Sequence, residues 1–376
     1  MLARYLEVDK RAIINNLEAI QKEVDVPVMA VVKGNAYGHG AVEVSTALAD
    51  AGVEWFGVEF LDEGVQIRES GIEVRILCFT GPVDRDDCRK FIKYDITPAI
   101  YNLNAAAMLN DIAAQEDIMF KVHLKFDTGM GRFGFTYDEL DGVIDRLKAF
   151  EHLEYEGAFT HFAAAFAQKP DYTLSQLERF NKCLDKLGAG GIKVQIRHAA
   201  NSVAAMDFPQ ARLDMVRVGG ALFGTAMFKN KSVKLKKAAL LKAILIDVRD
   251  MPKGAYIGYG CTYRTPKPMR IGVIPFGYFE GLKVQRRNYA FRFLDLLRIL
   301  YHDIMDYLRP VPIVFKDGRP LRILGRIGLQ LAVVDLSDVD AHPGDEVLVA
   351  IDPVYLDDTV PRIYKYNEVV SNKMEK

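Results

Sequence analysis

Up to about residue 220, apolar positions follow two alternating patterns. Ile13, Ile14, Leu17 and Ile20 share one helical face and predict a helix over residues 11–22. Short apolar runs then alternate with helical segments. The runs predict strands at residues 26–32, 55–58, 74–79, 97–100, 118–124, 155–160, 194–197 and 215–218. The intervening segments predict helices at residues 41–51, 61–70, 84–93, 103–115, 137–150 and 172–187, and a short one from Asn201.

This alternation predicts an α/β fold. Strands that alternate with helices pair in parallel through right-handed crossovers, and eight such units of this size favour an N-terminal (β/α)8 TIM-type barrel. A doubly wound open sheet is the main alternative. In a barrel, functional residues gather at the C-terminal ends of several different strands, so the positions of polar residues test the choice.

Beyond about residue 228 the helical alternation stops. Lysines between Lys229 and Lys237 mark a hydrated junction, and residues 244–248, 270–274 and 311–351 read as β-strands with turn signals between them. We expect a barrel domain over residues 1–235 and a mostly-β C-terminal domain over residues 236–376. Packing of the first few residues with the second domain stays open.

A helical insertion interrupts the predicted β domain around residues 289–308. Its apolar residues, Phe293, Leu297, Leu300, Ile304 and Leu308, fall on one face. The simplest expectation is that this helix packs on its own domain rather than binding a partner.

Composition excludes several classes of function. The 376 residues carry a net charge of −1, which argues against nucleic acid or an anionic membrane as partner. No apolar run is long enough to span a membrane, and the first residues lack the apolar region expected of a signal peptide. The four cysteines are scattered without a CxxC spacing, so we expect a cytoplasmic protein with no disulfide framework and no metal site.

Lys33 ends the first predicted barrel strand, and the glycine-rich segment at residues 34–40 predicts a loop after it. A lysine at a strand end is usually a solvated charge. Here its stem leaves an apolar strand, and the three glycines let the backbone approach a ligand closely. A desolvated lysine is a good amine nucleophile or base, so Lys33 is a candidate for covalent chemistry.

Other predicted strand ends also carry polar or glycine residues. These are Lys125 and Arg132 after strand five, His161 after strand six, His198, Asn201 and Ser202 after strand seven, and Arg217, Gly219 and Gly220 at strand eight. The start of a helix at Asn201, with the N–H groups of Gly219 and Gly220, predicts an anion site. Each residue alone has a structural explanation, such as helix capping by Ser202. Their shared position at strand ends favours a functional site.

Tyr259 lies between two glycines in the predicted β domain. It is either a turn residue or a phenol delivered into a site as a base. A strand-end lysine, a phosphate site, an arginine at the last strand and this tyrosine together suggest pyridoxal phosphate, which needs an amine, a phosphate site and a partner for its pyridine nitrogen.

Six stretches then resemble the alanine racemase family, and the likeness extends along nearly the whole chain. They are residues 31–40, 123–132, 160–163, 198–202, 216–220 and 258–260. The resemblance implies a pyridoxal-phosphate-dependent racemase with a barrel and a β domain. It also implies a head-to-tail homodimer whose active sites are shared between subunits.

The resemblance further implies roles for individual residues. Lys33 would carry the cofactor and act as one acid/base, and Tyr259 of the partner subunit would act as the other. His161 would lie behind Tyr259 and help to set its pKa. Arg217, oriented by His198, would face the pyridine nitrogen and leave it unprotonated, which discourages side reactions.

The remaining implied roles concern the cofactor phosphate and the substrate. The phosphate would be held by Tyr37, Asn201, Ser202, Gly219 and Gly220. The substrate side of the site would comprise Arg132 at the carboxylate, Lys125 as a lysine that is often carbamylated, Tyr278 at the entrance, and Leu329.

Several positions depart from the family pattern. Leu329-Gln330 stands where the family usually has Met-Asp, and Phe279-Glu280 stands where it has Ala-Asp. Phe166 replaces an aspartate, and Tyr355 is only a weak match for a late phosphate-binding tyrosine. We expect the first two changes to lie at the outer edge of the pocket, where they could alter substrate choice.

Alanine is the default substrate that the resemblance implies. The alternatives are racemisation of another amino acid, such as serine or one with a longer side chain, a decarboxylase or aldolase, and a non-catalytic pyridoxal-phosphate protein. Decarboxylation needs an unclamped carboxylate, so Arg132 argues against it. The related carriers lack a second domain, so Tyr259 argues against a carrier. A barrel that binds a different phosphate is a further alternative.

Overall fold

The computed structural model describes residues 2–166, 170–284, 293–309 and 311–366. The chain divides into two compact units. The barrel unit is Lys10–Ala238, and the β unit combines Met1–Asp9 with Ala239–Lys376. Strand β1 (Arg4–Asp9) therefore belongs to the β unit although it begins the chain.

All eight barrel strands predicted from the apolar runs are present. They are β2 (Val28–Val31), β3 (Trp55–Val58), β4 (Arg75–Cys78), β5 (Ile96–Ile100), β6 (Phe120–Lys125), β7 (Leu153–Phe159), β8 (Ile196–His198) and β9 (Val216–Val218). The helices of this unit are α1 (Lys10–Val24), α2 (Lys33–Tyr37), α3 (Ala41–Asp50), α4 (Leu61–Glu69), α5 (Arg85–Lys93), α6 (Leu103–Gln115), α7 (Leu140–Lys148), α8 (Pro170–Ala189) and α9 (Ser202–Asp207).

The eight strands form one parallel sheet in the order β8-β7-β6-β5-β4-β3-β2-β9. The first and last strands of the unit are neighbours, since Met29 of β2 pairs with Arg217 of β9. Strands β8 and β9, at the two ends of this order, also approach each other: the N–H of Asp214, just before β9, donates to the carbonyl of Arg197 in β8 at 3.0 Å. The predicted fold class is confirmed as a nearly closed eight-stranded barrel, and the open doubly wound sheet is excluded by the sequential strand order.

Alternate residues of the strands fill the barrel. Met29, Trp55, Leu77 and Phe159 belong to one buried cluster inside it, each at most 5% exposed. Burial of each such side chain contributes about 1.5–3 kcal/mol. A side chain at Gly57 would lie 2.6 Å from the Phe79 ring, so β3 needs a glycine there. The filled interior makes the C-terminal ends of the strands the place where side chains can meet a ligand.

The described residues of the β unit form two larger sheets and a short hairpin. Its other strands are β10 (Ala239–Ile244), β11 (Asp247–Met251), β12 (Tyr256–Ile257), β13 (Tyr263–Arg264), β14 (Met269–Ile274), β15 (Val314–Lys316), β16 (Arg319–Leu321), β17 (Ile323–Leu324), β18 (Ala332–Asp335), β19 (Glu346–Val349) and β20 (Arg362–Lys365). The sheets have the orders β16-β15-β19-β10-β1-β20 and β11-β14-β18-β17. Thus β1 is an interior strand, antiparallel to β10 and parallel to β20.

The single strand predicted at residues 244–248 is wrong. The chain there leaves β10 and enters β11, which belongs to the other large sheet. Leu245, at the crossing point, is completely buried. The apolar run therefore reflects a passage between two sheets, which a local pattern does not distinguish from one continuous strand.

Helix α10 (Phe293–Leu308) forms within the predicted insertion. Residues 289–292 of that prediction lie outside the described residues. The apolar face does not pack as expected, because Leu297, Leu300 and Ile304 are 45%, 48% and 57% exposed. No helix in the described part of the chain is long and apolar enough to cross a membrane.

Candidate active site

One pocket at the C-terminal ends of the barrel strands brings most of the predicted site residues together. The predicted residues that line it are Lys33, Tyr37, Lys125, Arg132, His161, Asn201, Ser202, Arg217 and Gly219. Val31, Phe79 and Phe159 add apolar walls. This convergence follows from the barrel, whose parallel strands all present their C-terminal ends on one face.

Lys33 opens a turn of left-handed helix rather than the simple loop expected from its glycines. Asn35, Ala36 and Tyr37 have φ angles of 53°, 52° and 53°. Such a conformation costs a non-glycine residue roughly 1–2 kcal/mol. The His39 ring helps to offset this, because its Nδ1 lies 3.0 Å from the carbonyls of both Ala36 and Tyr37. The tight turn places both Lys33 and Tyr37 at the pocket.

The Lys33 amine has a carboxylate partner that the sequence analysis missed. Lys33 Nζ donates to Glu59 Oε2 at 2.7 Å. The neighbouring Glu63 accepts from the backbone N–H of Glu59 at 2.8 Å and from that of Gly34 at 2.6 Å. The sequence did contain a sign of this partner: Glu59 is an acidic residue directly after the buried strand β3, at the same end of the barrel as Lys33.

Arg217 is buried and held by several acceptors. Its guanidinium donates to His198 Nδ1 at 2.9 Å and to the Thr160 carbonyl at 2.7 Å. It also lies 3.4 Å from His161 Nδ1. Burial lowers the pKa of Arg217 to about 9, so the side chain keeps its charge at neutral pH.

A chain of neutral histidines continues from Arg217. Burial, with the charge of Arg217, holds the pKa of His198 well below its usual value. Since Arg217 only donates, His198 Nδ1 must accept. His198 Nε2 then carries the hydrogen that it shares with His123 Nδ1 at 2.9 Å. His123 Nε2 points at Glu156 Oε2 from 3.5 Å, so the chain ends at a carboxylate.

Glu156 is the anionic end of this chain. Its burial alone would raise the pKa of the carboxyl group. The ion pairs with Arg75 and Lys121, together with the nearby His123 ring, outweigh burial and lower the pKa to about 2. Neither His123 nor Glu156 was a predicted site residue, because a polar residue inside a strand gives no local sign of what it contacts across the barrel.

Tyr37, Ser202 and Gly219 form the part of the pocket that suits an anion. The Gly219 N–H donates to Ser202 Oγ at 3.0 Å, and a side chain at Gly219 would overlap the Tyr37 phenol. Burial, with the carboxylates of Glu59 and Glu63, raises the pKa of Tyr37 to about 12, which keeps its hydroxyl protonated as a donor.

Asn201 and Gly220 flank this part of the pocket. Asn201 Oδ1 accepts from the Ala204 N–H at 3.0 Å and caps helix α9. The capping role considered for Ser202 therefore belongs to Asn201. Gly220 directly follows Gly219 and accepts from Thr225 Oγ1 at 3.0 Å through its carbonyl.

Lys125 ends strand β6 in a buried position. Its Nζ lies 5.0 Å and 5.4 Å from the ring centres of Phe133 and Phe159. Burial, with the charge of Arg132, lowers the pKa of Lys125 to about 8. Burial and the charge of Arg217 lower the pKa of His161 to about 3, so this imidazole is neutral.

Arg132 reaches the same pocket from an exposed loop. The Asp127 carboxylate organises that loop by accepting the N–H groups of Gly129, Met130 and Gly131 at 2.8–3.1 Å. These hydrogen bonds fix the backbone of the loop, and the long side chain of Arg132 extends from it into the pocket.

Tyr259, Tyr278 and Leu329 lie in the β unit. Tyr259 and Leu329 line one groove there, and their side chains are 72% and 51% exposed. Gly258 has a φ of 77°, which presents Tyr259 at the tip of its turn. The Tyr278 N–H donates to the Gly328 carbonyl at 3.2 Å, beside the same groove.

Two family models match consecutive parts of the chain. The N-terminal domain of alanine racemase matches residues 8–227, and the C-terminal domain matches residues 238–360. The chain belongs to the alanine racemase family. The resemblance found in the six sequence motifs is thereby confirmed.

Individual alanine racemases are similar over nearly their full length. The protein from Symbiobacterium thermophilum is 38% identical over 97% of both chains, and that from Methanococcus maripaludis is 34% identical over 92% of this chain and 88% of its own. Among solved structures, the alanine racemase of Clostridium difficile 630 has a TM-score of 0.85 at 30% identity, covering 97% of this chain and 96% of its own. The alanine racemase of Bacillus anthracis with bound L-Ala-P has a TM-score of 0.83 at 27% identity, covering 99% and 97%.

The departures from the alanine racemase pattern at residues 280 and 330 are joined in the structure. Glu280 is completely buried. Its Oε1 accepts from Gln330 Nε2 at 3.1 Å and pairs with Arg4 at 3.0 Å, while its Oε2 accepts from the Gly277 N–H at 2.9 Å. The expectation that Glu280 lies at a pocket edge is wrong, because the longer carboxylate is used inside the β unit.

Phe279 and Leu329 remain on the surface and are 47% and 51% exposed. Phe166, the third departure, is 77% exposed in the barrel unit. Tyr355 lies in a short turn of the β unit at Pro353–Tyr355, where its carbonyl leaves no room for a side chain at Gly281. Phe279, Leu329, Gln330 and Phe166 are therefore the exposed differences from the family pattern.

Proposed function

We propose that this protein is a pyridoxal-phosphate-dependent racemase that interconverts L- and D-alanine with two acid/base groups. The observation that carries the proposal is the meeting of Lys33, Arg217 and the anion-binding hydroxyls of Tyr37 and Ser202 in one barrel pocket. Full-length similarity to alanine racemases supports it independently.

The pocket fits the cofactor at each of its polar ends. The overlap that a side chain at Gly219 would make with Tyr37 shows that only a glycine lets the Tyr37 phenol lie against the backbone there. Tyr37 and Ser202 offer hydroxyl donors to a phosphate there, with Asn201 and Gly220 beside them. When bound, pyridoxal phosphate supplies an aldehyde for the Lys33 amine and an electron-withdrawing ring that acidifies the substrate Cα–H.

Arg217 sets the electronic character of the bound ring in this proposal. It donates hydrogen bonds and stays cationic, so it would face the pyridine nitrogen of the bound cofactor without protonating it. The neutral His198 fixes its orientation, and His123 and Glu156 fix the tautomer of His198. A weaker electron sink favours proton return at Cα over transamination.

Two bases on opposite faces of the substrate Cα account for inversion. Lys33 holds or removes a proton at its Nζ, and Tyr259 does so at its phenol oxygen. We propose that Tyr259 acts in a head-to-tail homodimer, reaching the pocket of the partner subunit. Its 72% exposure at the tip of a glycine-flanked turn supports such a role, and His161 would lie behind it.

The substrate carboxylate is assigned to Arg132, with Lys125 as the partner of that arginine and Leu329 as a further substrate-binding residue. Tyr278 forms the entrance. Glu280 is buried within the β unit, so this departure does not by itself favour a substrate other than alanine. The exposed Phe279, Leu329 and Gln330 are the positions where preference for serine or a longer amino acid would arise.

A panel of L-amino acids in deuterated water tests this function. Purified protein given pyridoxal phosphate should turn yellow, and borohydride should fix the cofactor on the Lys33 peptide. L-alanine should exchange its Cα hydrogen and appear as both enantiomers by chiral chromatography. Protein that stays colourless, or that binds the cofactor but leaves alanine unexchanged, would contradict the proposal. Faster exchange of another amino acid would replace alanine as the substrate.

A further inference from the structure

The pocket contains four cationic side chains and one carboxylate. Among the described residues that line it, Lys33, Lys125, Arg132 and Arg217 carry positive charge and Glu59 is the only acid. An ordinary solvated glutamate would turn away to water. Instead, Glu59 Oε2 lies 2.7 Å from Lys33 Nζ, and its side chain is 18% exposed.

The backbone of Glu59 is fixed on both sides. Its N–H donates to Glu63 Oε2 at 2.8 Å, and its carbonyl accepts from Thr80 Oγ1 at 2.8 Å. Glu63 also accepts the N–H of Gly34, the residue after Lys33, at 2.6 Å. The Glu63 carboxylate therefore connects the two backbone segments that carry Lys33 and Glu59. The contact between Lys33 and Glu59 is thus supported by ordered backbone on both sides.

This geometry matters because an ammonium group cannot attack an aldehyde. We propose that Glu59 is a positioning residue and proton partner for Lys33, a role that rests on the racemase function proposed above. As Lys33 engages the cofactor, one proton passes from Nζ to Glu59 Oε2, which leaves a neutral amine and a neutral carboxylic acid. No other reagent is required, and the proton returns along the same hydrogen bond when Lys33 is released.

The proposal predicts a one-sided effect on racemisation. Glu59 contacts the Lys33 base, whereas Tyr259 belongs to the β unit and acts in the other direction. Loss of the Glu59 carboxylate should therefore slow Cα exchange of one alanine enantiomer more than that of the other. A residue that only stabilises the barrel would affect both enantiomers and the amount of folded protein alike.

Other groups facing Glu59 must be considered when pH is varied. Lys33 donates to it, while Lys125 and Tyr37 interact with its charge from β6 and from the left-handed turn. Glu63 lies on the side of helix α4. Comparison of variants at the same pH removes these shared contributions, because each variant retains all of the other groups.

The experiment follows the rate at which cofactor-free protein becomes yellow in pyridoxal phosphate, from neutral to alkaline pH. Glu59→Gln keeps the shape but removes the base, so loading at neutral pH should slow about 100-fold and recover at high pH, where solvent takes the proton. Glu59→Asp should restore part of the rate. Glu54→Gln, which removes an exposed acid just before the same strand, should load like the wild type.

Each result bears on the proposal. Glu59→Gln that loads at the wild-type rate and exchanges both enantiomers equally well would overturn it. If Glu59→Gln does not fold, Glu59→Asp decides, because a carboxylate one methylene shorter must load more slowly at neutral pH, and an unchanged rate overturns the proposal. Wild-type protein that never attaches the cofactor to Lys33 would instead contradict the racemase function, and this role with it.

Discussion

Gln330 donates a hydrogen bond from its side-chain amide to the buried carboxylate of Glu280, with a separation of 3.1 Å. The two residues are 50 positions apart, and both depart from the family pattern. Their pairing shows that one departure accommodates the other. The neighbouring Phe279 N–H donates to the Leu329 carbonyl at 3.0 Å, so the pair also holds together the two segments that present Phe279 and Leu329.

Replacement of Glu280 by alanine should destabilise the β unit strongly. The change leaves Arg4 and the Gly277 N–H without their buried partner, and loss of one member of a buried pair typically costs about 3–5 kcal/mol. Thermal unfolding followed by circular dichroism measures the loss. Leu329→Met, at a half-exposed position, should stay within about 0.5 kcal/mol of the wild type. Equal melting temperatures for the two variants would show that the Glu280 contacts do not stabilise the unit.

The barrel and the cationic residues of its pocket could be predicted from the sequence. Buried parallel strands read as short apolar runs, and their ends share one face, so Lys33 and Arg217 could be brought together without a structure. The Glu280–Gln330 pair could not be found in this way. It depends on a contact between distant segments that leaves no local pattern.

Three further features could not be predicted because the local sequence favours a different conformation or environment. Ala36 and Tyr37 seldom adopt a positive φ, so the left-handed turn after Lys33 was predicted as a loop. Glu59 was missed because an acid after a strand usually faces water. The crossing at Leu245 was missed because both sheets accept the same apolar residues. In each case the surrounding fold decided against the local expectation.

The acid stability of the barrel should depend on Glu156. Its pKa lies at about 2 in the folded protein, against 4.5 for an unperturbed glutamate. Its stabilising contribution is therefore complete above pH 4.5 and is lost as the pH falls towards 2. Urea midpoints at pH 7 and pH 3 should fall further apart in the wild type than in Glu156→Gln. An identical pH dependence in both proteins would contradict the assignment.

The phosphate side of the pocket should not tolerate a methyl group at Gly219. Gly219→Ala would push the Tyr37 phenol out of its place. We expect the dissociation constant of pyridoxal phosphate, measured on cofactor-free protein by fluorescence quenching, to rise about tenfold for each 1.4 kcal/mol of lost binding. Gly188→Ala, in the last turn of helix α8 with open space around it, should leave binding unchanged. Unchanged affinity in Gly219→Ala would remove this glycine from the phosphate site.

Lys125 should react with carbon dioxide more readily than a surface lysine. Its pKa of about 8 leaves an appreciable neutral fraction near physiological pH, and only the neutral amine adds carbon dioxide to give a carbamate and a proton. Protein equilibrated with 13C-bicarbonate at pH 8 should show a carbamate signal by NMR that is absent in Lys125→Gln. Lys148→Gln, at the end of helix α7 and outside the residues that line the pocket, should retain the signal. Persistence of the signal without Lys125 would place the carbamate elsewhere.

Tyr259→Phe should separate the two directions of racemisation. The variant keeps the ring but removes the hydroxyl, so exchange of the alanine enantiomer served by Tyr259 should fall by about 100-fold or more, whereas Lys33 still exchanges the other. Cα exchange in deuterated water, measured separately from L- and D-alanine, gives both rates. The Glu59→Gln variant should show the opposite preference, because it weakens the Lys33 side.

Mixing Tyr259→Phe with Lys33→Ala protein then tests the shared site. A head-to-tail dimer that exchanges subunits forms one intact pocket, with Lys33 from one variant and Tyr259 from the other, and regains activity. Small and equal losses in both directions for Tyr259→Phe would contradict the two-base scheme, and mixtures without any regained activity would argue that each subunit uses its own tyrosine.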